Sequence, residues 1–293
     1  LHSILRRQQN TGFGRDHHFA HISTVADYRR AVPVAPYEYV GPYVERMANG
    51  DTNALIAGDR VLMFALTSGT TAARKLIPVT TRYLDDYRRG WNFWGARAYR
   101  DHRGRKLFLR AIVQMAGDPE EYRTPAGIPC GNLSGYTAVV QKRIIKWLYA
   151  VPPLAGKVKD ARSRYYLALR FALPRSCAIF TSANPSTLVL LGRTMDAEKD
   201  RLLKDIHDGT LAADLDLPPE VRAAVLPKLT PKPERARELS AIADRTGRLY
   251  PKDVWPPETI LVGTWTGGSM GPYLRQLPAY FGDPPVRDLG LLA

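Results

Sequence analysis

Apolar and polar positions fall into blocks whose period changes along the chain, and those changes predict the elements. Leu1, Ile4 and Leu5 recur at helical spacing, so residues 1–9 read as a short amphipathic helix. Residues 11–21 set Gly12 and Gly14 among polar side chains and read as a loop. Thr24-Val25-Ala26-Asp27 has the form of a capping box, with Asp27 suited to a first helical turn. Pro33 and Pro36 break the chain before a helix over Tyr37 to Met47. An apolar run, Val61 to Leu66, gives way to hydroxyl residues around one glycine and resumes as Leu76-Ile77-Pro78-Val79. That pattern reads as strand, tight loop, strand. A long helix follows, capped by Thr80 or Thr81 and running to about Arg97.

Further on, 106–114 reads as a strand and 117–135 as a Pro/Gly loop. Helices are predicted over 136–149, stopped by Pro152-Pro153, and over 160–173, stopped by Pro174. Ala178-Ile179-Phe180 is a short buried strand. Asn184-Pro185-Ser186 opens a helix that runs to about His207 and ends at Gly209. Peripheral helices occupy 215–248, and Thr259 to Trp265 is a strand leading into a glycine cluster and a helix from Pro272. Strands alternating with helices give an α/β class, with layered sheets and helices between and around them.

With 293 residues, 45% of them hydrophobic, the chain has ample material for a core. No apolar run approaches bilayer length, and the N-terminal charges are not followed by the apolar region of a signal peptide. Cys130 and Cys177 are too few for a disulfide framework or a zinc site, so a reducing cytoplasm is the expected compartment. His17, His18 and His21 read as polar loop residues rather than metal ligands. The net charge of +14 permits binding to nucleic acid, or a role as a non-catalytic basic binding module. The arginines are dispersed among acids, however, and no nucleic-acid reading signature is present. A solvated basic surface without specific nucleic-acid or membrane partners is expected.

The candidate chemistry sits between the two strands. Thr67, Ser68, Thr70 and Thr71 supply hydroxyls, Gly69 allows close backbone approach to an anion, and Lys75 supplies a cation. These are parts for holding a polyphosphate, although the spacing is not that of a Walker A loop. A polar strand-to-strand turn is the alternative reading of the same residues. On the long helix, Tyr83, Tyr87, Trp91 and Trp94 fall along one face, either as a core stripe or as the wall of a pocket. Arg88 and Arg97 are candidate partners for a carboxylate. Gly267-Gly268-Ser269-Met270-Gly271 fits the Gly-x-Ser-x-Gly nucleophile elbow of a serine hydrolase, between a strand and a helix. That fold needs a histidine after the serine, and the last histidine here is His207.

Thr67-Ser68-Gly69-Thr70-Thr71 with Lys75 resembles the phosphate loop of adenylate-forming enzymes, the luciferase and acyl-CoA synthetase superfamily. Phe13-Gly14-Arg15-Asp16, Tyr28 to Val34 with Tyr37-Glu38, Gly127-Ile128-Pro129 with Gly131 and Ser134, Asn184 to Leu188, and Arg287 to Gly290 narrow the resemblance. They are similar to the auxin-responsive acyl acid–amido synthetases and their bacterial relatives. Ala72 departs from the glycine usual in the superfamily. The resemblance implies ATP and Mg²⁺, an acyl-adenylate, and transfer of the acyl group to an amino acid. It gives Lys75 and Thr70 catalytic roles, and Thr67, Ser68, Gly69, Thr71, Gly267, Gly268 and Ser269 places around ATP. It also makes Tyr83, Tyr87, Arg88, Trp91 and Trp94 an acyl pocket. Small-molecule partners and a monomer are expected. The chain reads as a single truncated N-terminal ATP/acyl-substrate domain, 1–293, ahead of the metal-binding and ribose-binding motifs that the resemblance implies.

Overall fold

The computed structural model describes residues 1–67 and 74–290. The chain opens with helices α1 (His2–Gln8), α2 (Gly12–Asp16), α3 (Val25–Ala31) and α4 (Tyr37–Ala48). Strands β1 (Val61–Leu66) and β2 (Leu76–Thr80) precede the long helix α5 (Thr81–Asp101). Then come β3 (Ala111–Gln114), β4 (Tyr122–Arg123), β5 (Pro129–Gly131), α6 (Leu133–Val139), α7 (Arg143–Leu148), α8 (Ala161–Ala172) and β6 (Cys177–Thr181). Helices α9 (Pro185–Ala197), α10 (Lys199–Asp208), α11 (Pro219–Val225), α12 (Pro233–Thr246) and α13 (Pro251–Val254) lead to β7 (Leu261–Thr264). The described chain finishes with α14 (Gly271–Leu274), α15 (Leu277–Phe281) and β8 (Val286–Asp288).

Two compact units emerge. The first comprises residues 1–91 and 119–136, the second 92–118 and 137–293. In the first, a sheet runs in the order β2-β1-β5-β4. β1 pairs antiparallel with β2 (Leu66 opposite Leu76) and parallel with β5 (Phe64 opposite Cys130). Val44, Met47 and Ala48 of α4 pack on Val61, Phe64 and Cys130, so one amphipathic helix covers the sheet. In the second unit a fully parallel sheet runs β3-β6-β7-β8. β6 and β7 are buried along their whole length, which is why they read as uninterrupted apolar runs. Tyr166, Leu167, Leu169, Phe180, Leu188, Leu191 and Phe281 are among the residues that build this unit's core.

Several sequence expectations are borne out. The capping box forms, with Thr24 Oγ1 accepting from Asp27 N at 3.1 Å and Asp27 accepting from Thr24 N at 2.8 Å. Thr80 Oγ1 accepts from Tyr83 N and starts α5. Others are corrected. Residues 11–21 are not a loop. Thr11 accepts from Gly14 N and caps α2, while His17 is buried and stacked on Phe13 at 3.9 Å. The apolar face expected of α1 buries Leu5 but leaves Leu1 and Ile4 exposed.

The strand expected over 106–114 is only β3, because Lys106 and Leu109 adopt φ of 50° and 61° and break the extended run. The loop expected over 117–135 contains β4 and β5, which complete the first sheet. The helix expected over 136–149 divides into α6 and α7 at residues 140–142, and α7 ends where Tyr149 and Ala150 are drawn to Ile112 of β3. The helix expected over 184–207 breaks at Glu198, whose carboxylate holds Arg162 and Arg201. It stops, as expected, at Gly209 in the left-handed conformation.

Candidate functional site

In the first unit the candidate phosphate loop hangs from the β1–β2 hairpin. Ser68, Gly69, Thr70, Thr71 and Ala72 lie outside the described residues. The residues that close the loop are described. Thr67 N donates to Lys75 O at 3.3 Å, which brings the first hydroxyl residue and the lysine to the two sides of one neck. The Lys75 ammonium lies 5.3 Å from the centroid of the Tyr37 ring. Arg74 is drawn aside by Glu121. Tyr37 stands in the first turn of α4, after Pro36, and its hydroxyl meets both backbone groups of Leu76. It accepts from Leu76 N at 3.1 Å and donates to Leu76 O at 2.9 Å. Burial pushes the Tyr37 phenol above its ordinary pKa, so the hydroxyl stays protonated.

The aromatic positions of α5 divide by environment. Tyr83 and Tyr87 stack with centroids 6.3 Å apart, and Tyr87 meets Trp91 at 6.2 Å. All three are half-buried, so they form a ladder that is neither core nor open surface. Desolvation, with Tyr87 second, raises the Tyr83 phenol. Trp94, within the second unit, is held otherwise. Its Nε1 donates to Asp288 O at 2.8 Å, and its ring lies so close to Gly263 of β7 that a Cβ there would meet it at 3.2 Å. Arg88 lies 3.6 Å from Asp85 and Arg97 3.9 Å from Asp101, each pairing along the helix.

Also in the second unit, β7 ends at Thr264, whose Oγ1 donates to Ala183 O at 3.2 Å. The turn that follows carries Gly267, Gly268 and Ser269. Thr266 donates to Asp288 Oδ2 through both its N–H, at 3.1 Å, and its hydroxyl, and Gly290 N reaches Oδ1 at 2.6 Å. These bonds, the Thr266 hydroxyl foremost, hold the Asp288 carboxyl below its ordinary pKa. The carboxyl ends of adjacent parallel strands thus gather hydroxyls, backbone N–H groups and one carboxylate. Such ends are where open α/β sheets take their ligands.

The tight fit that would explain Gly267 and Gly268 is not found, since a Cβ at either would meet no protein atom within 4 Å. Gly268 requires glycine for its φ of 61°. Ser269 sits in a 3₁₀ turn, Gly268–Met270, and Asp288 serves Thr266 and Gly290 instead of orienting a base for a triad.

Sequence reasoning singled out the loop residues but missed Tyr37 as a partner of Lys75. It placed Asp288 in the Arg287 to Gly290 stretch of the resemblance without giving its carboxylate a partner. A tyrosine 39 residues upstream of its backbone partner leaves no periodic signal. Among the described residues, no group of three or more His, Cys, Asp or Glu is placed to hold a metal ion. No helix among them is long and apolar enough to cross a membrane.

A family model described as the GH3 family N-terminal domain matches residues 1–286. A jasmonoyl–L-amino acid synthetase of Nicotiana attenuata is 24% identical over 269 residues, covering 88% of this chain and 46% of that protein. A 4-substituted benzoates–glutamate ligase of Arabidopsis thaliana is 25% identical over 281 residues, again 88% of this chain and 46% of that protein. Among solved structures, the GH3.15 acyl acid amido synthetase superposes with a TM-score of 0.79 at 21% identity, over 98% of this chain and 50% of that one. This likeness gives the fold, an α/β arrangement of the kind expected from the sequence. The chain spans about half the length of the curated relatives it matches.

Proposed function

Since the chain belongs to the GH3 family, we propose that the complete protein activates a carboxylic acid with ATP and transfers the acyl group to the amine of an amino acid. One observation carries this reading: the family match runs over nearly the whole chain, and the relatives are named as amido synthetases and ligases. In the first step a carboxylate oxygen attacks the α-phosphorus, forming the acyl-adenylate and releasing pyrophosphate. In the second the amine attacks the acyl carbon, the acyl C–O bond breaks, and AMP leaves as the amide forms.

In this reading Thr67, Ser68, Gly69, Thr70 and Thr71 cradle the β- and γ-phosphates, and Lys75 follows their charge. The chemistry is then mostly positioning and electrostatic stabilisation. The Tyr83–Tyr87–Trp91 ladder is the wall for an apolar or aromatic acid, with Arg88 as a partner for its carboxylate, while Trp94 fixes α5 against β7. The turn with Gly267, Gly268 and Ser269 lies against the nucleotide. Magnesium enters with the phosphates, in keeping with its preference for phosphate oxygens and water over an all-protein cage. The partners are small molecules: ATP, a carboxylic acid and an amino acid.

The test is acid-dependent exchange of labelled pyrophosphate into ATP across a panel of aromatic and aliphatic acids, followed by mass spectrometry of amide products. Exchange with at least one acid is expected. Ester hydrolysis that vanishes in Ser269→Ala, without any exchange, would overturn the proposal.

A further inference from the structure

We infer that Tyr37 is a positioning residue for the phosphate loop. Its hydroxyl pins the strand that leaves the loop, and its ring holds the Lys75 ammonium at that exit. The inference rests on the ATP-dependent reading above and assigns a part in it to a residue outside the loop.

β2 is an edge strand, with β1 on one side only. An edge strand presents unpaired backbone N–H and C=O groups outward. At Leu76 both groups are taken by one side chain, with Tyr37 Oη accepting from the N–H at 3.1 Å and donating to the C=O at 2.9 Å. A single hydroxyl thereby stands in for a missing neighbouring strand at the point where the loop ends. The preceding residue, Lys75, is bonded through its carbonyl to Thr67 N, so the neck is fixed from both sides.

Lys75 has no ion-pair partner among the described residues, whereas its neighbour Arg74 is engaged by Glu121. The ammonium rests instead near the Tyr37 ring, at 5.3 Å from its centroid. A cation–π contact orients the flexible stem without cancelling its charge, so the lysine remains available to an incoming phosphate. The first turn of α4 is itself braced. Two residues on from Tyr37, the Tyr39 hydroxyl is hydrogen-bonded to His17 Nε2, and His17 Nδ1 donates to Phe13 O at 2.7 Å. A chain of contacts within the first unit therefore runs from α2 through the start of α4 to the loop exit. Preordering the neck and the lysine reduces the ordering cost that the ligand would otherwise bear.

The experiment compares Tyr37→Phe and Tyr37→Leu with the parent, in the complete protein. Hydrogen exchange of the Leu76 amide, Mg·ATP affinity by calorimetry, and KM and kcat for pyrophosphate exchange are measured. Both variants should lose protection at Leu76. Tyr37→Phe keeps the ring and loses the hydroxyl, so Mg·ATP should bind about three- to tenfold more weakly. Tyr37→Leu also loses the cation–π contact and should weaken binding by a further two- to fivefold or so. The KM for the acid should not move in Tyr37→Phe.

Unchanged Leu76 protection overturns the inference. So does lost protection with unchanged ATP affinity, even if the unfolding midpoint drops. A parent that binds Mg·ATP yet exchanges pyrophosphate with no acid overturns the adenylation reading alone, and the affinities still decide the role of Tyr37. A parent that binds no ATP overturns both.

Discussion

Replacing Asp205 in α10 should destabilise the second unit through a buried charge rather than through lost packing. The carboxylate is buried and accepts three hydrogen bonds. Tyr166 Oη and Ala212 N donate to Oδ2 at 2.6 and 2.8 Å, and Thr210 Oγ1 donates to Oδ1 at 2.6 Å. Burial, reinforced by Asp205, holds the Tyr166 phenol far above its ordinary pKa, so its hydroxyl is a permanent donor. The guanidinium of Arg170, also buried, lies in the field of Asp205, while its Nε donates to Thr210 O at 2.9 Å.

Asp205→Ala strands the Tyr166 hydroxyl and removes the carboxylate that offsets Arg170. Breaking a buried charge arrangement of this kind costs about 3–5 kcal/mol. Thr210 is exposed and turns to water, so its bond adds little. At roughly 2–4 °C per kcal/mol for a unit of this size, the unfolding midpoint should fall by about 6–20 °C. Asp205→Asn keeps an acceptor for Tyr166 and Ala212 but still leaves Arg170 without its carboxylate, so it should also destabilise, less than Asp205→Ala by the roughly 1–3 kcal/mol of a stranded buried donor. Thermal and urea unfolding of both variants, with Tyr166→Phe and the double variant to close a cycle, measures the coupling. If Asp205→Ala is no worse than the surface control Asp244→Ala, and the cycle shows no coupling, the network has been misjudged.

The two tryptophans of α5 should part company: Trp94→Ala should lose about 3–5 kcal/mol of stability, whereas Trp91→Ala should mainly change acid preference, read from exchange kinetics beside thermal melts. Thr70→Ala should slow adenylation about ten- to a hundredfold, the worth of one hydrogen bond to a charged group, and Gly69→Val should be worse. A folded Gly69→Val that adenylates at the parent rate would refute the loop assignment. Burial pushes the Cys177 thiol up to about 12, so a disulfide reagent should label it only on unfolding. Its folded pKa lies above the unfolded value, so its stabilising contribution is complete below about pH 8.5 and declines as the pH rises towards 12. Urea titrations at pH 8 and 10, against Cys177→Ala, measure that slope.

What was legible in the sequence was whatever depends on near neighbours. β1, β2, β6 and β7 announced themselves as apolar runs, and the caps at Thr24, Thr80 and Asn184 lie within three residues of the N–H groups they satisfy. What stayed hidden was set by distant partners. β5 is three residues of Pro, Cys and Gly that become a strand because β1 offers an edge. Residues 106–110 look like a strand by composition. Yet Leu107 turns inward among Ala98, Ala178 and Leu261, while Phe108 and Leu109 face water. The same division holds at the candidate site. Hydroxyls and a lysine at short spacing mark the proposed phosphate loop, but the contacts of Tyr37 with Leu76 and Lys75 join α4 to a hairpin and have no linear signature.

The position of β1, between a neighbour it meets at once and one it meets late, sets an order of assembly. Leu66 and Leu76 are joined by a short loop, whereas Phe64 must wait for Cys130. Closing the longer loop costs about 1.5 kcal/mol more in chain entropy, at ~0.6 kcal/mol per doubling of length. The β1–β2 hairpin should therefore form early in folding, as should the local β4–β5 pair in which Tyr122 faces Cys130, and the β1–β5 ladder that joins them should form late. Cys130 is buried only once that ladder closes, so its thiol is a built-in clock. Pulsed alkylation during refolding should find Cys130 reactive after the hairpin amides have become protected, and the lag between the two signals measures how long the sheet stands half built.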